Sequence, residues 1–406
     1  MGMSSAAERH KKRKLTRFIC IVVVMLAVLL VIGLLVAGYV WYLREKGRAG
    51  LREHAENNQK TEVALRQPSW AEESEQPPEQ QPEETEHQPA ESGQQTDEPE
   101  QQTEEADDET EEGSSTDLKK GQIRYGGKVY QYKDNLLTIL CMGIDSRDGI
   151  DKAKIPGAGG QADCVILAVL DDKAKKIQLL NISRDTMVPI DLYDMYGSFV
   201  RRERAQITLQ YAYGNGRERS CELMEQVVSD LFYGIPIHGY CALAMSTIAD
   251  LNDAIGGVTV TVPDELAAFV PTFTAGETIT LQGQEAVDFV HSRNIYATEM
   301  GSNNRRIARQ KMFVKGFVDQ AKKRIKEDIT LPAKLYQLVE KQMVTSISLD
   351  QAVFLCTEYL DCDFSMDDMI SVEGTITKEN VYEEFNVDEK ALYELILKVF
   401  YEEVEQ

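Results

Sequence analysis

The sequence predicts an α/β fold, a β-sheet covered by helices on both faces, set behind a membrane anchor and a polar linker. Two observations predict the folded part. Leu136–Met142 (LLTILCM) and Cys164–Leu170 (CVILAVL) are short continuous apolar runs, the pattern of strands buried on both faces. Helical patterns interleave with them, which is the layering of a sheet between helices. A third observation, the distribution of charge, separates this part from what precedes it. The 406 residues carry a formal net charge of −23. Residues 71–117 alone contribute 19 acidic side chains and no Lys or Arg, so the acidity belongs mostly to one segment.

Phe18–Leu43 (FICIVVVMLAVLLVIGLLVAGYVWYL) is apolar and free of charge. About 20 such residues cross a bilayer as a helix. Arg9, Lys11, Lys12, Arg13, Lys14 and Arg17 stand before it, a positive-inside signal, and Trp41 and Tyr42 occupy the interfacial end. A cleaved signal peptide would have a shorter apolar core and a small-residue cleavage site, and Val36-Ala37-Gly38 is a poor one. The reading is a single-pass cell-membrane protein: residues 1–17 a cytoplasmic basic tail, 18–43 a transmembrane helix, the remainder extracytoplasmic.

Residues 44–120 read as a disordered Glu/Gln/Pro-rich linker, in which 55–120 hold one aromatic residue, Trp70. Charge repulsion and prolines would extend it, so it reads as a spacer holding a domain off the membrane. Of seven cysteines, Cys20 falls in the span. The other six allow 15 disulfide pairings, and the preferred reading is free core thiols. No Cys/His spacing suggests zinc.

Residues 121–406 have a globular texture. Gln122–Tyr132 reads as an opening hairpin with Gly126-Gly127 at its turn. After the two apolar runs, Ile177–Ile182 (IQLLNI) reads as a third strand. Helical patterns cover Arg217–Phe232, Ala244–Ile255, Gln284–Val290 and Arg306–Lys326, and Val258–Val262 reads as a strand launched by Gly256-Gly257. The tail from Leu331 reads as helical with a strand near Met369–Val372. An acidic folded part outside the membrane excludes nucleic acid as a partner.

Four features carry chemistry. The first apolar run leads into Gly143-Ile144-Asp145-Ser146-Arg147. A Gly-rich loop, Gly157 to Gly160, leads to Asp163 before the second run. The third strand ends in Ser183-Arg184-Asp185. Arg293, Arg305, Arg306 and Arg309 cluster within 17 residues, with Arg306 and Arg309 one helical turn apart. Strand ends are where open sheets bind ligands. Two carboxylates with several arginines suit a divalent cation bound to a phosphate ester. Taken singly, each residue has an ordinary alternative as a turn cap or a solvated surface charge.

In these residues the chain resembles the LytR–CpsA–Psr family of cell-wall glycopolymer ligases. The matching stretches are Leu136–Arg147, Ala162–Val188, Ile207–Gly216, Leu251–Pro263, Leu281–Asn294 and Asn303–Gln310, in the family's order. The resemblance implies a three-layer α/β/α sandwich with a central mixed sheet and an apolar cleft for a polyprenyl chain. It implies Asp145 and Asp163 as ligands of Mg²⁺ or Mn²⁺. Arg184, Arg293, Arg306 and Arg309 would clamp a pyrophosphate, with Gln310 beside them and Arg147 and Asp185 among the substrate contacts. The implied reaction moves a polyprenyl-pyrophosphate-linked anionic glycopolymer, such as teichoic acid, onto peptidoglycan in a Gram-positive-type envelope.

Three positions depart from the family. Gln161 stands where an Arg is common, His291 where the first Arg of an Arg-x-Arg pair is common, and Asn303 where an Asp is common. The clamp is therefore less charged than usual. Two further functions stay open on this ground, a non-catalytic polyprenyl-lipid-binding regulator and a polyprenyl-pyrophosphate pyrophosphatase.

Overall fold

The computed structural model describes residues 41–42, 45–57, 118–146, 150–153, 155–292, 302–378 and 382–404, with the side chains of 302 and 303 outside that description. The chain opens with helix α1, residues 45–57, then the hairpin β1 (Gln122–Tyr125) and β2 (Lys128–Tyr132). Next come β3 (Leu136–Ile144), β4 (Ala162–Asp171) and β5 (Lys176–Ile182). The hairpin β6 (Met187–Tyr193) and β7 (Phe199–Gln206) leads to α2 (Thr208–Ala212), α3 (Glu218–Leu231) and β8 (Gly239–Ala244). A second lobe holds α4 (Thr247–Ala254), β9 (Thr259–Thr261), α5 (Asp264–Ala267), β10 (Thr278–Thr280), α6 (Gln284–His291) and α7 (Ser302–Glu327). The tail runs α8 (Leu331–Val339), β11 (Met343–Thr345), α9 (Leu349–Glu358), β12 (Met369–Ser371), β13 (Gly374–Thr377), β14 (Glu384–Val387), α10 (Glu389–Phe400) and β15 (Tyr401–Val404).

Six strands form the central sheet in the order β11-β8-β3-β4-β5-β12. It is mixed: β3 pairs parallel with β8 and β5 with β12, while β4 is antiparallel to both its neighbours. Side chains alternate across a strand, and here the two faces meet different partners. Leu140, Val165, Leu167 and Leu180 pack with Met224 and Val228 of α3 and with Tyr393 and Ile396 of α10. The alternate residues Leu137, Ile139, Ala168 and Leu170 pack with Leu51 of α1 and Phe354 of α9. Helices thus cover both faces, as the interleaved pattern predicts. The second lobe has a core of its own around Val258, Leu281, Phe289 and Phe313.

Two expectations for the organisation are corrected. Residues 45–57 do not belong to an extended linker. They form a helix whose Gly47, Leu51 and Ala55 recur every four residues, and Leu51 and Ala55 are buried on the domain. Arg48 donates to Asp172 at 2.5 Å, and His54 meets Glu225 at 2.9 Å. The acidic residues 58–117, read from sequence as the rest of the spacer, lie outside the described residues.

The tail is also less helical than expected. Besides the anticipated strand at Met369–Ser371 it supplies β11, the hairpin β13–β14 and β15, which pairs with β2. The central strand β8 was hidden because Gly239–Ala244 (GYCALA) is short and has no β-branched residues. The apolar stretch 18–43 lies outside the described residues except for 41–42. Among the described residues no helix is long and apolar enough to cross a membrane.

Candidate active site at the mouth of an apolar cleft

The end of β3, the start of β4 and the end of β5 lie side by side, which brings the three charged strand ends together. A bulge decides how Asp163 is presented. Gly143 pairs with Cys164 and Ile144 with Ala162, so Asp163 is the extra residue on its strand. Such a residue is released from the ladder and re-aimed. The backbone of Asp145 closes the same corner, its N–H donating to the carbonyl of Gln161 at 3.0 Å.

Asp163 is buried between two arginines. Arg184 donates through one Nη to its carboxylate and through the other to Gln161 Oε1 at 2.6 Å. Arg306, 3% exposed, brings Nη1 to 3.8 Å from the other carboxylate oxygen. Asp185 positions Arg184 from behind, 3.5 Å from its Nε, and is itself held by Gln206 Nε2 at 3.2 Å. Arg184 and Arg306 therefore both stand against Asp163.

Arg309 is not brought to the carboxylates. It is 1% exposed, and its Nε donates to the Phe289 carbonyl at 2.8 Å. Its two Nη atoms donate to Glu265 Oε1, at 2.5 Å, and to the Ser292 carbonyl. These bonds tie α7 to the end of α6 and so fix where His291 and Arg306 stand. Gln310 does similar work, with Nε2 donating to the Val290 carbonyl at 3.3 Å. Arg147 and Arg293 lie outside the described residues, as does the side chain of Asn303.

His291, read from sequence as a weakened clamp position, stands elsewhere in the chemistry. One ligand atom each from Asp145, Asp163 and His291 lies within 4.8 Å of the others. Two carboxylates and an imidazole make a fitting donor set for a divalent cation. The imidazole favours Mn²⁺ or another transition metal over Mg²⁺, whose preferred donors are oxygen. Sequence spacing could not show this, because 128 residues separate Asp163 from His291.

An apolar cleft of about 250 Å³ opens at this cluster. Its floor is the sheet face that carries Cys141, Gly143, Ile166, Leu179 and Leu243, and Ile307, Phe313 and Val314 of α7 form its roof. Gly143 keeps the floor open, since a Cβ there would stand 2.7 Å from Met245 Sδ. The thiols in the wall are free. Burial pushes Cys164 up to about 11 and Cys241 up to about 12, so both stay protonated and act as small apolar groups.

Carboxylates, arginines and an apolar groove within reach of one another define an α/β domain equipped for a phosphate ester with an apolar substituent. The chain belongs to the LytR_cpsA_psr family, whose profile matches residues 91–399. It is 25% identical over 263 residues to the polyisoprenyl-teichoic acid–peptidoglycan teichoic acid transferase TagU of Bacillus subtilis (strain 168), a match covering 65% of this chain and 76% of that protein. To the transferase of the same description called TagV, from the same organism, it is 27% identical over 256 residues, covering 61% of this chain and 59% of that one. Among solved structures it resembles the protein gbs0355 of Streptococcus agalactiae, with a TM-score of 0.52 and 21% identity over 65% of this chain and 86% of that one. That likeness concerns the fold.

Proposed function

We propose that this protein is a membrane-anchored phosphotransferase that moves an anionic glycopolymer of the teichoic-acid type from a polyprenyl pyrophosphate carrier to peptidoglycan. The observation that carries the reading is adjacency. Gly143 and Cys164 line the apolar cleft, and Asp145 and Asp163 lie two and one residues from them. Val290 lines the cleft and His291 follows it. A lipid pyrophosphate has the same change of character, from hydrocarbon to polyanion, within a few bonds. The relatives named above act on polyisoprenyl-linked teichoic acid, which supports the same substrate class. The anchor proposed for residues 18–43 would keep the domain where such carriers reside.

In this reading the isoprene units next to the phosphates lie along the sheet face. Arg184 and Arg306 bind the phosphate oxygens with charged, directional donors and stabilise charge growing on the transferring phosphorus. Asp185 and Gln161 orient Arg184, and Arg309 and Gln310 hold α7 against α6. A divalent cation held by Asp145, Asp163 and His291 would neutralise pyrophosphate charge. A peptidoglycan sugar hydroxyl attacks the glycopolymer-bearing phosphorus and loses its proton to solvent. The phosphoanhydride bond breaks, and polyprenyl phosphate leaves along the cleft.

The test uses the full chain in detergent with a polyprenyl-pyrophosphate-linked glycopolymer and peptidoglycan. Polyprenyl phosphate released in step with polymer gained by the wall is the expected result. Release without polymer transfer would mean hydrolysis by water, and tight binding without release would mean a lipid-binding regulator.

A further inference from the structure

The hairpin β6–β7 ends in an exposed apolar tip. Met195 and Tyr196 are 65% and 85% exposed, and Phe199 and Val200 follow them, exposed, at the start of β7. Ile155, also exposed, lines the same cavity as Met195 and Tyr196. These are five of the thirteen exposed large apolar side chains among the described residues, and such a concentration marks an interaction surface. The tip is built to keep its shape. Asp194 Oδ1 accepts from the N–H groups of Tyr196, at 2.8 Å, and Ser198, at 2.9 Å. Gly197 takes the positive φ of 82° in this turn, and Tyr193 meets Phe199 edge to face at 6.0 Å. Presenting Tyr196 to a partner therefore costs little ordering entropy.

Beside the tip lies a socket of about 330 Å³, between the hairpin and the turn that leads into α3. Ile155, Pro156 and Tyr213 give it apolar walls, and Arg219 gives it a charged one. Arg219 is held over the Tyr193 ring, 5.9 Å from its centroid. We propose that this surface pairs with a second copy of the chain about a two-fold axis, Tyr196 of each copy filling the socket of the other. An isologous contact needs a knob and a socket on one patch, because each copy supplies both. Charge agrees with this fit. Asp194 at the tip is a carboxylate and Arg219 in the socket a guanidinium, so the two-fold brings opposite charges together twice. With ~150–250 Å² for a whole aromatic side chain and a weighting by exposure, the five side chains offer on the order of 600 Å² per copy. A pair would cover about 1,200 Å², the lower bound of stable interfaces, so pairing is reversible and of micromolar strength. An anchor confining both copies to one bilayer would raise their effective concentration without a new contact. Pairing does not depend on the reaction proposed above. Ile155 and Pro156 belong to the loop between Asp145 and Asp163, so the contact would brace the segment that joins the acid pair.

The test is sedimentation of the full chain in density-matched detergent across a concentration series. Wild type should form a reversible dimer. Tyr196→Arg changes a side chain that lies in solvent and should raise the dissociation constant about thirtyfold or more, since the change acts twice across a two-fold. Tyr382→Arg, equally exposed but away from the tip, should leave it unchanged. Arg219→Glu should also weaken pairing, and adding Asp194→Asn, which keeps the acceptor of the turn, should recover part of the loss. A dimer that survives Tyr196→Arg would overturn the proposal and assign association to another part of the chain. So would a wild-type monomer at every concentration. If residues 193–200 of that monomer gained protection from hydrogen exchange in phosphatidylglycerol vesicles, the tip would belong to the bilayer instead.

Discussion

Arg184 and Asp163 face each other across the bulge in β4, guanidinium on carboxylate, with Gln161 taking the second Nη. In the proposed reading the pair would hold the cation-binding acid and the phosphate-binding guanidinium in register before any substrate arrives. Binding energy therefore need not be spent on arranging them.

Asp145→Asn and Asp163→Asn should each lower turnover by about a hundredfold or more, since each would exchange an anionic ligand of the proposed cation for a neutral amide. His291→Ala should weaken Mn²⁺ by about tenfold and Mg²⁺ less, because imidazole is the softer donor. Mn²⁺ electron paramagnetic resonance and calorimetry read this without an activity assay. Unchanged Mn²⁺ affinity in folded His291→Ala removes the imidazole from the cation site.

The two buried arginines of α7 should separate when each is changed to Lys. Arg309→Lys removes guanidinium donors from the acceptors of Phe289, Ser292 and Glu265 and should cost about 2–4 kcal/mol of stability, seen as a lowered Tm. Arg306→Lys should instead lower turnover about ten- to hundredfold, because a point charge replaces a planar fork beside Asp163. A folded Arg306→Lys enzyme with wild-type turnover would remove Arg306 from the clamp.

Docking of α1 should depend on Leu51, which is 1% exposed. Leu51→Asp buries a charge without a partner and should undock the helix at a cost of about 3 kcal/mol or more. Limited proteolysis within residues 45–57 gives the readout. Resistance equal to that of the wild type would contradict the docked arrangement.

His238 should make the domain acid-sensitive. Its pKa is lowered from 6.5 to about 4 by burial first, then by Arg52 and His54 of α1. Thr138 N–H donates to its Nδ1 at 3.1 Å, which requires the neutral ring at that atom. A histidine depressed in the folded state gives stability that is complete above its unfolded pKa. That stability is lost as pH falls from about 6.5 toward 4, by about 3 kcal/mol. His238→Asn keeps an acceptor and should flatten Tm across this range, whereas an unchanged slope would assign the acid sensitivity to other groups.

Much of this was legible in the sequence. The apolar runs ending in Asp145 and Arg184 mark buried strands with polar ends, and local pattern suffices for that. The helix at Arg306 was equally plain, but Arg309 shows the limit. One helical turn places it beside Arg306, yet the carbonyls of Phe289 and Ser292 decide which way its guanidinium points. Those partners are long-range. Leu51 was missed for a related reason, since the four-residue recurrence of Gly47, Leu51 and Ala55 among charges gains meaning only against the opposing face, Leu137 and Phe354. His291 was read from sequence as a clamp position, and only three dimensions put it beside Asp145 and Asp163.

The docked α1 has a consequence for where the chemistry takes place. Leu51 shares a core with Leu137 of β3, and Asp145 stands eight residues beyond Leu137, directly after that strand. At about 3.3 Å per residue, β3 is a ruler of roughly 26 Å. Residues 41–42, at the end of the apolar stretch, and 45–57 are helical, so an anchor in that stretch would place one end of the ruler near the lipid surface. The carboxylates would then patrol a plane at fixed altitude, and the search for wall acceptors would be two-dimensional.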